Sequence, residues 1–176
     1  SIIASINSDF TAASIAILVA MVLDGLDGRI ARFTNTQTSF GEYFDSLSDM
    51  ICFGLSPAIL VYIWSSSLFE LFTWQSNKIP WILCFIYIAS AAIRLARFNS
   101  KSQAQDKKYF IGLASPAAAA VIITFIWMTE SSNITTDTMK WISLIGLLLL
   151  SFLMISNITY YSFKDFNIRH KVPHIF

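Results

Sequence analysis

Long uncharged apolar runs alternate with short polar stretches along this chain. Residues 109–129 and 141–163 contain no Asp, Glu, Lys or Arg, and each is long enough for a bilayer-crossing helix, which needs about 20 apolar residues. Residues 50–69 are also uncharged. Their helix is expected to begin earlier, near Phe40, because "SFGE" fits a capping box with Ser39 as N-cap and Glu42 three positions on. The runs 10–23 and 79–93 are shorter, and each continues at helical spacing into charged residues, "DGLDGRIAR" and "RLARF". The pattern predicts five whole spans, near 10–32, 40–64, 80–99, 110–129 and 139–162, with a stub of a further span at 1–6. Short connections around 65–79 and 130–138 make neighbouring helices antiparallel. The expected fold is an all-α, polytopic membrane helix bundle forming a single integral-membrane domain over 1–176.

Composition agrees with that class. Of 176 residues, 55% are hydrophobic and only 13% charged, too few for the surface of a water-soluble domain. The net charge of +1 gives no basic field, so nucleic acid is not an expected partner. Ser1 opens the chain mid-pattern without a charged leader, so "SIIASI" reads as the tail of a hydrophobic segment and not as a signal peptide. Cys52 and Cys84 lie in apolar stretches without metal-ligand spacing and read as buried small hydrophobes.

Charge placement gives an orientation. Arg29, Arg32, Arg94, Arg97, Lys101, Lys107, Lys108, Lys164, Arg169 and Lys171 fall on one side of the predicted bundle, against only Lys78 and Lys140 on the other. Basic residues mark the cytoplasmic side. An active site near Asp24–Asp49 would therefore face the cytoplasm of a multi-pass protein in a bacterial-type inner membrane.

The chemistry-bearing window is "DGLDGRIARFTNTQTSFGEYFDSLSD", residues 24–49, with four aspartates between apolar runs. Carboxylates inside a membrane helix are costly, by roughly 2.5 kcal/mol or more on insertion scales. On a helical wheel Asp24 and Asp27 lie within about 60° of each other, and Asp45 and Asp49 within about 40°. The first pair ends one helix and the second begins the next, so both can meet at one depth. Four like charges there would repel, and divalent cations resolve this: Mg²⁺ and Mn²⁺ favour oxygen ligands and share their shells with phosphates. Two ions bridged by four carboxylates would match the two-metal clamp for displacement at phosphorus. Gly25 and Gly28 each cost a helix about 1 kcal/mol relative to Ala, which suits close approach of a ligand or of another backbone. Arg29 and Arg32 would add cations for phosphate oxygens. The competing reading is a set of interfacial ion pairs with glycines that serve helix packing.

The full spacing is D-x2-D-G-x2-A-R-x8-G-x3-D-x3-D, filled by Asp24, Asp27, Gly28, Ala31, Arg32, Gly41, Asp45 and Asp49. It resembles the signature of the CDP-alcohol phosphatidyltransferases, membrane enzymes with six core helices acting on CDP-linked lipids. The resemblance implies that the first of those helices is largely missing here. It also implies that Asp24, Asp27 and Asp45 hold one divalent ion (Mg²⁺ or Mn²⁺) and that Asp24, Asp45 and Asp49 hold a second. Asp49 would be the catalytic base, while Gly28, Arg32 and Thr38 would contact CDP-diacylglycerol.

Two further stretches, "RLARFN" at 94–99 and "YFIGLASPAAAA" at 109–120, resemble the serine-accepting branch of that family, with Ala114 departing from the branch's usual proline. "SPAAAA" also reads as a kinked helix packed through small residues. Arg94 and Arg97, one turn apart, are expected to bind the acceptor. The implied partners are CDP-diacylglycerol, L-serine, the lipid bilayer and a second copy in a homodimer. Other acceptors (glycerol 3-phosphate, inositol phosphate or choline) and an ion-coupled transporter remain as alternatives. A transporter would place its carboxylates near the midplane, often in a repeated topology; this chain has no repeat, and its aspartates lie toward one face.

Overall fold

A computed structural model describes residues 1–34, 38–68, 78–101, 109–132 and 134–161. A short helix, α1 (Ile2–Ile6), turns through Ser8, whose φ is 60°, into α2 (Phe10–Thr34). Asp9 caps α2 by accepting a hydrogen bond from the Ala12 N–H at 2.9 Å. The 25 residues of α2 reach about 37 Å at 1.5 Å per residue. Next comes a continuous rod of α3 (Ser39–Asp49), a π-helical stretch (Met50–Leu55), α4 (Ser56–Ser65) and a 3₁₀ turn (Ser66–Leu68). The remaining elements are α5 (Lys78–Lys101), β1 (Tyr109–Ile111), α6 (Ser115–Ser131), α7 (Asp137–Ile155) and β2 (Thr159–Tyr161).

The expected all-α bundle is the observed architecture. Among the described residues, four stretches are long and apolar enough to cross a bilayer: Phe10–Ile30, Tyr43–Leu68, Lys78–Ser100 and Asp137–Ile155. Helix α6 is shorter, at 17 residues. The run at 110–129 does not start as a helix. Gly112 adopts φ +79°, where a Cβ would lie 2.5 Å from the Met154 carbonyl oxygen, so only glycine fits. Its N–H donates to the Ile158 carbonyl at 2.9 Å, and β1 pairs antiparallel with β2, Tyr109 opposite Tyr161. Pro116 then opens α6 in the first turn, where its missing N–H costs nothing. The same ribbon ends α7 at Ile155, short of the expected 162.

A second boundary also moves. Thr38, not Ser39, is the N-cap of α3, and its Oγ1 accepts from the Gly41 N–H at 3.1 Å. A Cβ on Gly41 would come within 3.2 Å of that oxygen, so this glycine keeps the cap open. The side chains of Ser39 and Glu42, on which the capping box was expected, lie outside what is described.

The core runs along the bundle axis, from Ile17 of α2 through Phe53, Leu60 and Val61 to Tyr87, Ile123, Ile126, Leu144 and Leu147. Ala91, Ala118 and Ala119, all fully buried, let α5 and α6 approach their neighbours closely. Buried Ser14, Ser90 and Ser151 each donate to the carbonyl four residues back, so their hydroxyls are satisfied within the helix.

Side-chain bonds between helices fix which ends meet. At one end Asn99 Nδ2 donates to Ser46 Oγ at 3.0 Å, joining α5 to α3. Arg94 and Arg97 tie the same end of α5 to α6 and to the end of α7. At the opposite end Trp64 Nε1 donates to Glu130, and Lys140 reaches Ser67. The aspartate-bearing ends of α2 and α3 therefore lie with Arg94 and Arg97, away from Lys140.

Candidate active site

The site is built from the C-terminal half of α2 and the C-terminal half of α3, where α3 passes into the π-helical stretch. Asp24 and Asp49 face each other across these helices, with their carboxyls within hydrogen-bonding reach. Asp24 also senses the charges of Asp45 and Asp27, and Asp49 senses those of Asp24, Asp45 and Arg94. Asp27 and Asp45 are exposed, while Asp24 and Asp49 are half-buried. The structure thus brings both predicted pairs into one electrostatic cluster. As they stand, no three His, Cys, Asp or Glu side chains among the described residues converge to hold an ion.

Even so, the residues fit a divalent cation. All four candidate ligands present carboxylate oxygens, the donor type that Mg²⁺ and Mn²⁺ select. Two like charges in reach of each other repel strongly where water is scarce, and a cation between them removes that repulsion. Asp49 Oδ1 is buried with no hydrogen-bond partner among the described residues, an acceptor left unsatisfied. Asp27 and Asp45, being exposed, can turn inward without displacing packed neighbours.

Gly25 and Gly28 differ in surroundings. A Cβ on Gly25 would meet nothing within 4 Å, so no neighbouring helix requires that glycine. Gly28 is half-buried. Thr38 stands at the start of α3, its oxygen engaged as the cap. The side chain of Arg32 lies outside what is described, as do those of Lys101, Lys107 and Lys108.

Arg94 and Arg97, alike in the sequence, have different jobs in the structure. Arg94 Nη1 donates to Ser115 Oγ at 2.9 Å, at the first residue of α6, while its Nε is buried without a partner among the described residues. Asp49 feels its charge, yet no ion pair joins them among the described residues. Arg97 instead donates through Nη1 to the Ile155 carbonyl at 3.2 Å and through Nη2 to Asn157 Oδ1. It satisfies a carbonyl at the C-terminal end of α7, where a cation also suits the helix dipole. Sequence reasoning missed Ser115, Ser46 and the π-helical stretch after Asp49. The signals available for them were the serine before Pro116 and the Gly54–Pro57 segment.

The arrangement offers carboxylates for cations, an acceptor atom on Asp49, and the Arg94 guanidinium whose charge Asp49 senses. A family model described as CDP-alcohol phosphatidyltransferase matches residues 1–156. A Helicobacter pylori protein named CDP-diacylglycerol–serine O-phosphatidyltransferase is 35% identical over 155 residues, covering 88% of this chain and 62% of the relative. One of the same name from Methanocaldococcus jannaschii is 35% identical over 144 residues, covering 82% and 61%. An archaetidylserine synthase from Methanothermobacter thermautotrophicus is 35% identical over 162 residues, covering 91% and 62%. The chain thus spans a little under two thirds of the length of these relatives.

Proposed function

The chain belongs to the CDP-alcohol phosphatidyltransferase family, and from that premise we propose that it transfers the phosphatidyl group of CDP-diacylglycerol to the hydroxyl of L-serine, giving phosphatidylserine and CMP. Asp24, Asp27, Asp45 and Asp49 would hold divalent cations, Mg²⁺ or Mn²⁺, two per site. Bound there, such ions neutralise phosphoryl oxygens and the departing phosphate.

The protein's own groups do the rest. Gly28, Arg32 and Thr38 bind the CDP-lipid, whose cytidine points to the cytoplasm and whose acyl chains stay in the bilayer. Asp49 accepts the proton of the serine hydroxyl as that oxygen attacks the lipid-side phosphorus. The bond from this phosphorus to the oxygen shared with the CMP phosphorus breaks, and CMP leaves with the electron pair. Arg32 steadies its charge. A serine hydroxyl is a weak nucleophile at neutral pH, so holding it against the phosphorus supplies much of the rate.

The observation that carries the serine reading is a pair of buried polar atoms on two residues whose charges interact, Asp49 and Arg94. Among the described residues, Asp49 Oδ1 is a buried acceptor without a partner and Arg94 Nε a buried donor without one. A serine with its hydroxyl toward Asp49 and its carboxylate toward Arg94 satisfies both. The names of these relatives agree with it: two are CDP-diacylglycerol–serine O-phosphatidyltransferases and one is an archaetidylserine synthase. The test is incubation of the purified protein with CDP-diacylglycerol and labelled serine, glycerol 3-phosphate, inositol phosphate or choline. Label should enter lipid from serine alone. Incorporation of another alcohol in its place would reassign the acceptor, and none from any of them would overturn the transferase reading.

A further inference from the structure

The π-helical stretch Met50–Leu55 begins at the residue after Asp49. Its hydrogen bonds reach one residue further than those of an α-helix, as the Ser56 N–H donating to the Ile51 carbonyl shows. Ser56 Oγ donates to that same carbonyl at 3.0 Å. One residue more per turn changes the phase between α3 and α4. In an uninterrupted α-helix Asp49 would lie within about 60° of Phe53, Leu60 and Trp64 on the wheel. All three belong to the buried core. The inserted residue rotates the acidic face of α3 away from this stripe by on the order of 100°. Asp45 and Asp49 can then meet Asp24 of α2 while α4 keeps its apolar face inward.

Such a stretch must find partners for displaced backbone groups. Pro57 sharpens the problem, because it has no N–H to close the ordinary bond to the Phe53 carbonyl. The Tyr87 hydroxyl of α5, fully buried, donates to that carbonyl at 3.1 Å. Helix α5 also presses on this stretch at Gly54, where a Cβ would come within 3.3 Å of Ala91 Cβ. We infer that Tyr87 is a positioning residue: its hydroxyl supplies the hydrogen bond that Pro57 withholds, and so holds the π-helical turn that aims Asp45 and Asp49 at Asp24.

The test is a double-mutant cycle on the full protein. Tyr87→Phe removes the donor and keeps the ring, so the core stays filled. It should lower kcat roughly ten- to a hundred-fold by misplacing Asp49, while KM for both substrates changes less than about threefold. Pro57→Ala returns the backbone N–H that an ordinary i→i−4 bond to the same carbonyl requires. Alone it should change kcat by less than about twofold, and combined with Tyr87→Phe it should recover most of the loss.

Cys52, half-exposed within the π-helical stretch, supplies a readout independent of activity. Its labelling rate with a methanethiosulfonate reagent should shift by at least about threefold in Tyr87→Phe and return in the double variant. Buried Cys84 should stay unreactive throughout. The inference is overturned if Tyr87→Phe leaves kcat and Cys52 labelling unchanged, or if the two substitutions are simply additive. The kcat arm rests on the proposed transferase reading. Should the wild-type protein prove inactive with CDP-diacylglycerol and serine, that reading fails, and the labelling cycle alone decides this inference.

Discussion

Replacing Arg94 and Arg97 one at a time separates recognition of the acceptor from support of the fold. Arg94→Ala removes a guanidinium whose Nε is buried without a partner among the described residues and whose charge reaches Asp49. If that Nε receives the serine carboxylate, a charge-assisted hydrogen bond of about 1.5–3 kcal/mol is lost. The KM for serine should then rise roughly ten- to a hundred-fold, at 1.36 kcal/mol per factor of ten. The KM for CDP-diacylglycerol should move little, because its phosphates meet the aspartate cluster and Arg32. Arg94→Lys keeps the charge and loses the fork, so it should fall between wild type and Arg94→Ala. Arg97→Ala removes bonds to the Ile155 carbonyl and to Asn157. It should cost stability, about 1–3 kcal/mol for two hydrogen bonds at a half-exposed site, and leave the serine KM nearly unchanged. The assay is radiolabelled serine incorporation into lipid with each substrate varied in turn, beside thermal unfolding in detergent. A serine KM that responds to Arg97 and ignores Arg94 would refute this division of labour.

The glycines should behave oppositely. Gly112→Ala forces a side chain to φ +79° and against the Met154 carbonyl, so thermal unfolding should show a loss of about 2 kcal/mol or more. Gly25→Ala meets no neighbour within 4 Å and should raise stability by up to about 1 kcal/mol. It should also raise the KM for CDP-diacylglycerol; an unchanged KM would mean that the donor does not approach Gly25. For topology, Ser102→Cys should be labelled by an impermeant maleimide only from the cytoplasmic side and Ser132→Cys only from the opposite side. Reversed labelling would defeat the orientation drawn from the charges.

Hydropathy made the helices legible because a bilayer-spanning helix needs little beyond length and apolarity, and α2, α5 and α7 are continuous in both. The aspartate cluster was legible for a related reason: at i, i+3 and i, i+4 spacing, helix geometry alone puts Asp24 with Asp27 and Asp45 with Asp49. What escaped depends on contacts distant in sequence. An apolar run does not reveal that Gly112 must lie against the Met154 carbonyl, so the strand before α6 was hidden. Thr38 and Ser39 are both good caps, and only the backbone path chooses Thr38. Arg94 and Arg97 sit one turn apart with identical chemistry, and the packing of α6 and α7 alone assigns them different partners. The π-helical stretch was hidden because periodicity arguments assume an unbroken 3.6-residue repeat, although Gly54 and Pro57 mark where that repeat fails.

The central claim is that the aspartate cluster, loaded with divalent cations, moves a phosphatidyl group from CDP to serine. Its most direct measurement follows CMP and phosphatidylserine together, from purified protein stripped with EDTA and then supplied with Mg²⁺ or Mn²⁺. The two products should be absent after stripping and should return in equal amounts on restoring the ion, while Asp49→Asn should give neither. Full product formation in metal-free buffer, or CMP release without matching phosphatidylserine, would contradict the account.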